Sequence, residues 1–125
     1  MFYNLFTTFE CKAESHCVKN GGYIAKVSVK NKTSGGTKTS STFDNPSSKC
    51  IKLSNFVDEG DEFYVYLTVI DGGTAAYTAG TKDCSEYLTR SSASSGKTYH
   101  YTATGTTDST GSNEYKCNSN YSSYP

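Results

Sequence analysis

Residues 62–71, EFYVYLTVID, decide the fold. Their side chains alternate strictly: Phe63, Val65, Leu67 and Val69 fall on one side, Tyr64, Tyr66, Thr68 and Ile70 on the other. A period of two is that of a β-strand. Apolar character on both sides marks a strand at the centre of a sheet. The acidic segment Asp58-Glu59-Gly60-Asp61-Glu62 leads into it as a tight, solvated turn, and Asp71-Gly72-Gly73 leads out of it as another.

Working outward, residues 22–30 (GYIAKVSVK) alternate in the same way. Tyr23, Ala25, Val27 and Val29 oppose Lys26, Ser28 and Lys30, with Ile24 the one apolar residue on the polar side. Asn20-Gly21-Gly22 is a turn signal before this strand. Shorter strands are expected at 37–43, at 49–54 (Ile51 and Leu53 against Cys50, Lys52 and Ser54), at 74–79, at 97–104 (Tyr99, Tyr101 and Ala103 on one face) and at 113–117. A first strand is expected at 2–9, and a helical turn near 84–90. Seven or eight short strands at this spacing predict an all-β fold, an antiparallel β-sandwich, with a small β-barrel as the alternative. A chain of 125 residues makes one domain. Its expected limits are 1–117, with 118–125 a flexible tail.

The large aliphatics are scarce, yet eleven tyrosines and no net charge argue against disorder. Tyrosine supplies apolar area, with a hydroxyl that needs a partner. A core so poor in Leu and Ile gains from cross-links. Cys11, Cys17, Cys50, Cys84 and Cys117 show no zinc spacing and suit disulfides formed in an oxidising compartment. Two bridges among the five can be drawn in fifteen ways, and the spacing does not choose between them. The cysteine left over is a candidate link between two copies of the chain. The first residues lack the basic and apolar regions of a signal peptide, so Met1 is read as a start placed on a mature secreted sequence. Asn31-Lys32-Thr33 and Asn120-Tyr121-Ser122 fit the N-glycosylation sequon.

The stretch Gly22-Tyr-Ile-Ala-Lys-Val-Ser-Val29 resembles the opening strand of the C-terminal β-sandwich domain of thiol-activated cytolysins and of small secreted relatives of that domain. There a glycine and an aromatic precede an alternating V-A-R-F-x-V run. In outline the resemblance continues through Lys49-Cys-Ile-Lys-Leu53, an acidic turn, the strand Phe63–Ile70, Lys97-Thr-Tyr99 and Gly105-Thr-Thr107, spanning about 22–107. It implies a β-sandwich with a surface-binding habit. The chain has no tryptophan, so the cytolysins' tryptophan-rich membrane loop is missing, and their cholesterol-reading threonine–leucine pair has no clear match. Sterol recognition and pore formation are therefore not implied.

Twelve basic and twelve acidic residues cancel, leaving no footprint for nucleic acid. No stretch is apolar enough to span a membrane. Asp58, Glu59, Asp61 and Glu62 are candidate Ca²⁺ ligands, since a hard cation needs converging oxygens. Asp71 lies a ten-residue strand away, about 30 Å at 3.3 Å per residue, so it cannot join them, and a solvated hairpin tip is the preferred reading. His16 and His100 are the only histidines. A Cys84–His100 pair lacks an orienting third group, and no GxSxG elbow exists, so no enzyme activity and no cofactor are expected. Tyrosine packs flat on sugar rings and at interfaces. Tyr64, Tyr66, Tyr99 and Tyr101 are read as core, whereas Tyr77 and Tyr87, in loop-rich segments, are candidate ligand contacts. The expected function is a secreted, extracellular, non-enzymatic binding module. It would present the loops 31–48, 71–83 and 89–96 to a glycan, a membrane lipid headgroup or a protein, as a toxin or effector also would. The alternative is a structural or adhesive matrix protein.

Overall fold

The computed structural model describes residues 13–70, 78–106 and 114–125. Its strands are β1 (Ser15–Asn20), β2 (Ile24–Asn31), β3 (Thr37–Thr39), β4 (Ser48–Lys52), β5 (Glu62–Ile70), β6 (Thr78–Asp83), β7 (Leu88–Thr89), β8 (Thr98–Thr106) and β9 (Glu114–Ser119). One sheet has the order β4-β1-β8-β9. The other has the order β3-β2-β5-β6, with β7 also paired to β5. The two sheets pack face to face and do not close into a barrel. The expected disulfide-stapled β-sandwich is thus the observed fold. Its pairs are antiparallel except β1 with β8, which run parallel.

The pairing of β2 with β5 builds the core. Ala25 opposes Val69, Val27 opposes Leu67 and Val29 opposes Val65, and all six side chains are fully buried. Burying a Val or Leu contributes roughly 1.5–3 kcal/mol, so this ladder anchors the second sheet. Facing it across the sandwich are Val18 of β1, Ile51 of β4, and Tyr99, Tyr101 and Ala103 of β8.

Strand β1 was not anticipated, because SHCVKN reads as polar. It is nevertheless central to its sheet, between β4 and β8, and it turns His16, Val18 and Asn20 inward. Its buried polar groups are hydrogen-bonded. The Asn20 side-chain oxygen Oδ1 accepts from the backbone N–H of Gly22 (3.0 Å) and Tyr23 (3.1 Å), and its Nδ2 donates to the carbonyls of Tyr23 and Phe43. The expected Asn-Gly-Gly turn is therefore tied from within. It also presses on β8: a Cβ at Gly22 would lie 2.2 Å from the carbonyl oxygen of Gly105, which has φ +120°. Gly105 is paired with Tyr115 of β9, and Gly22 is tied by its N–H to the Asn20 side chain, so neither backbone yields without breaking such a bond. Gly22→Ala is expected to cost about 3 kcal/mol, measured as a lowered urea midpoint; an unchanged midpoint would refute the close approach.

Other expectations are corrected by the structure. Residues 84–90 form no helical turn; β7 occupies Leu88–Thr89, and a short 3-10 turn follows at Ser92–Ser94, capped by Ser91. Residues 118–119 complete β9 instead of opening a flexible tail, and Tyr121 and Tyr124 pack against the core. Tyr99 and Tyr101 are core, but Tyr64 and Tyr66 stand half-buried on the outer face of β5. The expected strand at 2–9, Cys11, the turn at 71–73 and Tyr77 lie outside the described residues.

Among the described residues the disulfides are Cys17–Cys50 and Cys84–Cys117. The first joins directly opposed residues of β1 and β4 within one sheet. The second runs from the residue after β6 to β9 and so ties one sheet to the other.

Candidate functional site

A break in the strand beside β5 creates the site. β6 pairs with β5 as far as Tyr66–Asp83, and β7 resumes the pairing at Phe63–Leu88. In between, Cys84 turns inward to its disulfide. Ser85 repairs the ladder. The N–H groups of Cys84 and Ser85 donate to the Val65 carbonyl at 2.8 and 3.2 Å, while the Ser85 hydroxyl accepts from Val65 N–H at 3.0 Å and donates to the Glu86 carbonyl at 2.9 Å. The chain between these ties is pushed off the sheet. Tyr87 is consequently 56 % exposed, a large side chain held outside the core on a pinned backbone.

Tyr87 stands over the outer face of β5. Its ring is 5.4 Å from that of Tyr64 at an interplanar angle of 69°, and Tyr64 lies 5.5 Å from Tyr66. The cleft between them has a volume of about 290 Å³ and is lined by Tyr64, Asp83, Ser85, Glu86 and Tyr87. Partial burial, and then the nearby Asp83 carboxylate, raise the pKa of the Tyr64 phenol above its ordinary value. The Lys32 ammonium sits 4.5 Å from the centroid of the Tyr87 ring, a cation–π contact. On its other side Tyr87 borders a groove of about 430 Å³ that reaches Tyr121 and Tyr124.

Of the two tyrosines singled out from the sequence, the structure places Tyr87 in this cleft. Tyr64, Asp83, Ser85 and Glu86 were not singled out. One signal was available: a sandwich buries only one face of a strand, and the wholly apolar face of β5 (Phe63, Val65, Leu67 and Val69) competes better for it than the tyrosine face.

The acidic turn is differently employed. Asp61 accepts from Asn31 Nδ2 and from the Asp58 N–H, each at 3.0 Å, and these bonds hold its carboxyl below the usual range. Asp58 and Glu59 border a separate hollow of about 260 Å³ beside Arg90, and Glu62 is exposed. Among the described residues, no group of three or more His, Cys, Asp or Glu is placed to hold a metal ion. Asn31 itself is 1 % exposed. Its amide also donates to Phe56 O, and its oxygen accepts from Thr33 and Ser34 N–H. Of the two sequons, only Asn120 is exposed in the fold.

A cluster of titratable side chains is buried against the C-terminal segment. Glu14 and His16 are both 0 % exposed, with His16 Nε2 2.6 Å from Glu14 Oε2. Tyr124 donates to the same carboxylate oxygen at 2.6 Å, and His16 Nδ1 lies 2.7 Å from the Tyr101 hydroxyl. Arg90 Nε lies 3.2 Å from Glu14 Oε1, an ion pair without the alignment of a hydrogen bond. With both carboxylate and imidazole closed off from solvent, the cluster acts as an internal clasp for residues 121–125.

Burial, and then the hydrogen bond to Glu14, push the Tyr124 phenol up; Tyr101 is raised chiefly by burial, and Tyr23, by burial and then Tyr115, to about 12. In the unfolded chain these phenols ionise near 10. The folded state keeps its full advantage below about pH 10 and loses it as pH climbs toward 12, where Tyr23 itself ionises. Melting temperature should therefore fall steeply over that range while tyrosinate absorbance lags behind that of free tyrosine. A flat stability profile there would contradict the burial of these hydroxyls.

No family model, curated protein or solved structure matches the chain.

Proposed function

We propose that the chain is a secreted, non-enzymatic binding module whose ligand seat is the Tyr64–Tyr87 cleft. The observation that carries this reading is the 56 % exposure of Tyr87 on a backbone tied down by the Cys84 disulfide and the Ser85 hydrogen bonds. An aromatic side chain held outside the core, with carboxylates at its foot, supplies both contact area and directional polar groups. Two disulfides agree with an oxidising, extracellular compartment. Among the described residues, no helix is long and apolar enough to cross a membrane. The cysteine–histidine pairing considered from the sequence is spent, since the Cys84 sulfur is bonded to Cys117 and His100 is exposed on β8, whose inward residues are Tyr99 and Tyr101. A surface-binding role also agrees with the cytolysin-domain resemblance of 22–107, and a toxin or effector is one setting for it.

Co-sedimentation with mixed-lipid vesicles, in calcium and again in chelator, run beside a glycan array, tests the proposal. Retention on one of them in chelator is the expected result. Absence from both, together with concentration-dependent oligomers that reductant abolishes, would instead mark an adhesive matrix protein.

A further inference from the structure

Resting on the reading of the cleft as a binding seat, we infer that its ligand group is a quaternary ammonium, of the kind that ends a choline ester. Tyr64 and Tyr87 meet edge to face, at 69° with centroids 5.4 Å apart, and both rings border the cleft. The negative π surface they leave uncovered attracts a cation. The floor and rim reinforce the sign: Asp83 and Glu86 line the cleft, and none of its five lining residues is basic. The protein already places a cation on one of these rings, the Lys32 ammonium at 4.5 Å from the Tyr87 centroid.

The class of cation follows from the hydration it must shed. A primary ammonium is a compact, strongly hydrated charge whose water shell ring faces do not replace, and the Ser85 hydroxyl is committed to Val65 and Glu86. A methylated ammonium carries no donor and sheds little hydration, so ring faces and neighbouring carboxylates suffice. The volume of about 290 Å³ is at the lower end for ligand pockets and suits one headgroup.

The test is an NMR titration of the ¹⁵N-labelled protein with choline chloride and, separately, with methyl glucoside, in wild type, Tyr87→Ala and Lys32→Gln. Choline should shift the amides of Tyr64 and of 83–87, with a Kd on the order of millimolar. Tyr87→Ala should weaken it about tenfold, and Lys32→Gln should tighten it about two- to threefold by removing a like charge. Sedimentation with phosphatidylcholine but not phosphatidylglycerol vesicles would place the group on a membrane. Choline binding without sedimentation would place it on a soluble or glycan-borne ester. Shifts with methyl glucoside alone would overturn the cation and leave the binding seat standing. Silence to both probes would overturn both, and weaker choline binding in Lys32→Gln would overturn the electrostatic basis of the inference.

Discussion

Glu14→Ala is expected to destabilise the fold by about 3–5 kcal/mol, the cost of breaking a buried charge pair by removing one partner. The carboxylate is fully enclosed and receives His16 Nε2 and the Tyr124 hydroxyl, each at 2.6 Å, with Arg90 Nε at 3.2 Å. Truncation strands all three. Arg90, which is only 14 % exposed, keeps its bond to the Val57 carbonyl but loses its counter-charge. The C-terminal segment loses the acceptor that Tyr124 docks against. Domains of this kind are stable by only about 5–15 kcal/mol, so the variant should populate unfolded forms in mild denaturant. Tyr124→Phe removes one donor and leaves the charges paired, so it should cost only about 1–2 kcal/mol. Urea unfolding of the two variants checks the ranking. A Glu14→Ala loss within about 1 kcal/mol of wild type would mean that the clasp contributes little.

Removing the Cys84–Cys117 bridge by paired alanine substitution should cost roughly 3–4 kcal/mol from loop closure alone. An internal control exists. Cys17–Cys50 has the same sequence separation, 33 residues, so the chain-entropy cost of losing either bridge is the same. The native-state consequences differ. Cys17–Cys50 lies across two strands that remain paired over five positions without it. Cys84–Cys117 is a tie between the two sheets, and it seats the chain excursion that lifts Tyr87. Both double variants should therefore lose similar stability. Only the Cys84–Cys117 variant should also lose ligand retention under conditions where it is still folded. Equal retention in the two variants would show that the excursion is held by Ser85 alone.

The longest strands that sequence reasoning located, β2, β5 and β8, are those whose inward residues are apolar. In β2 and β5, alternation and burial coincide, so the period of two carries the whole signal. β1 escaped because its buried positions are filled by His16 and Asn20, whose partners come from Glu14, Tyr101 and a turn, contacts that no local pattern displays. The Asn-Gly-Gly turn was legible, but the reason for its second glycine was not, since Gly22 is constrained by the Gly105 carbonyl on another strand. The two sequons looked alike; folding buried Asn31 as a hub for four hydrogen-bond partners and left Asn120 outside. At the candidate site, the expectation for Tyr87 came from its loop-rich surroundings. Tyr64 was misread as core because apolar character on both faces of β5 concealed which face won. Asp83, Ser85 and Glu86 join the site only through the interruption between β6 and β7, which depends on where Cys84 finds its partner.

The cleft is tested most directly by measuring ligand retention and thermal melting on the same samples of wild type and Tyr87→Ala. Tyr87 is exposed, so its removal should leave the melting temperature within about a degree or two, as for most surface substitutions, while retention on whichever vesicle or glycan holds the wild type falls about tenfold or more. Undiminished retention by Tyr87→Ala at an unchanged melting temperature would contradict the assignment of the tyrosine cleft as the binding seat.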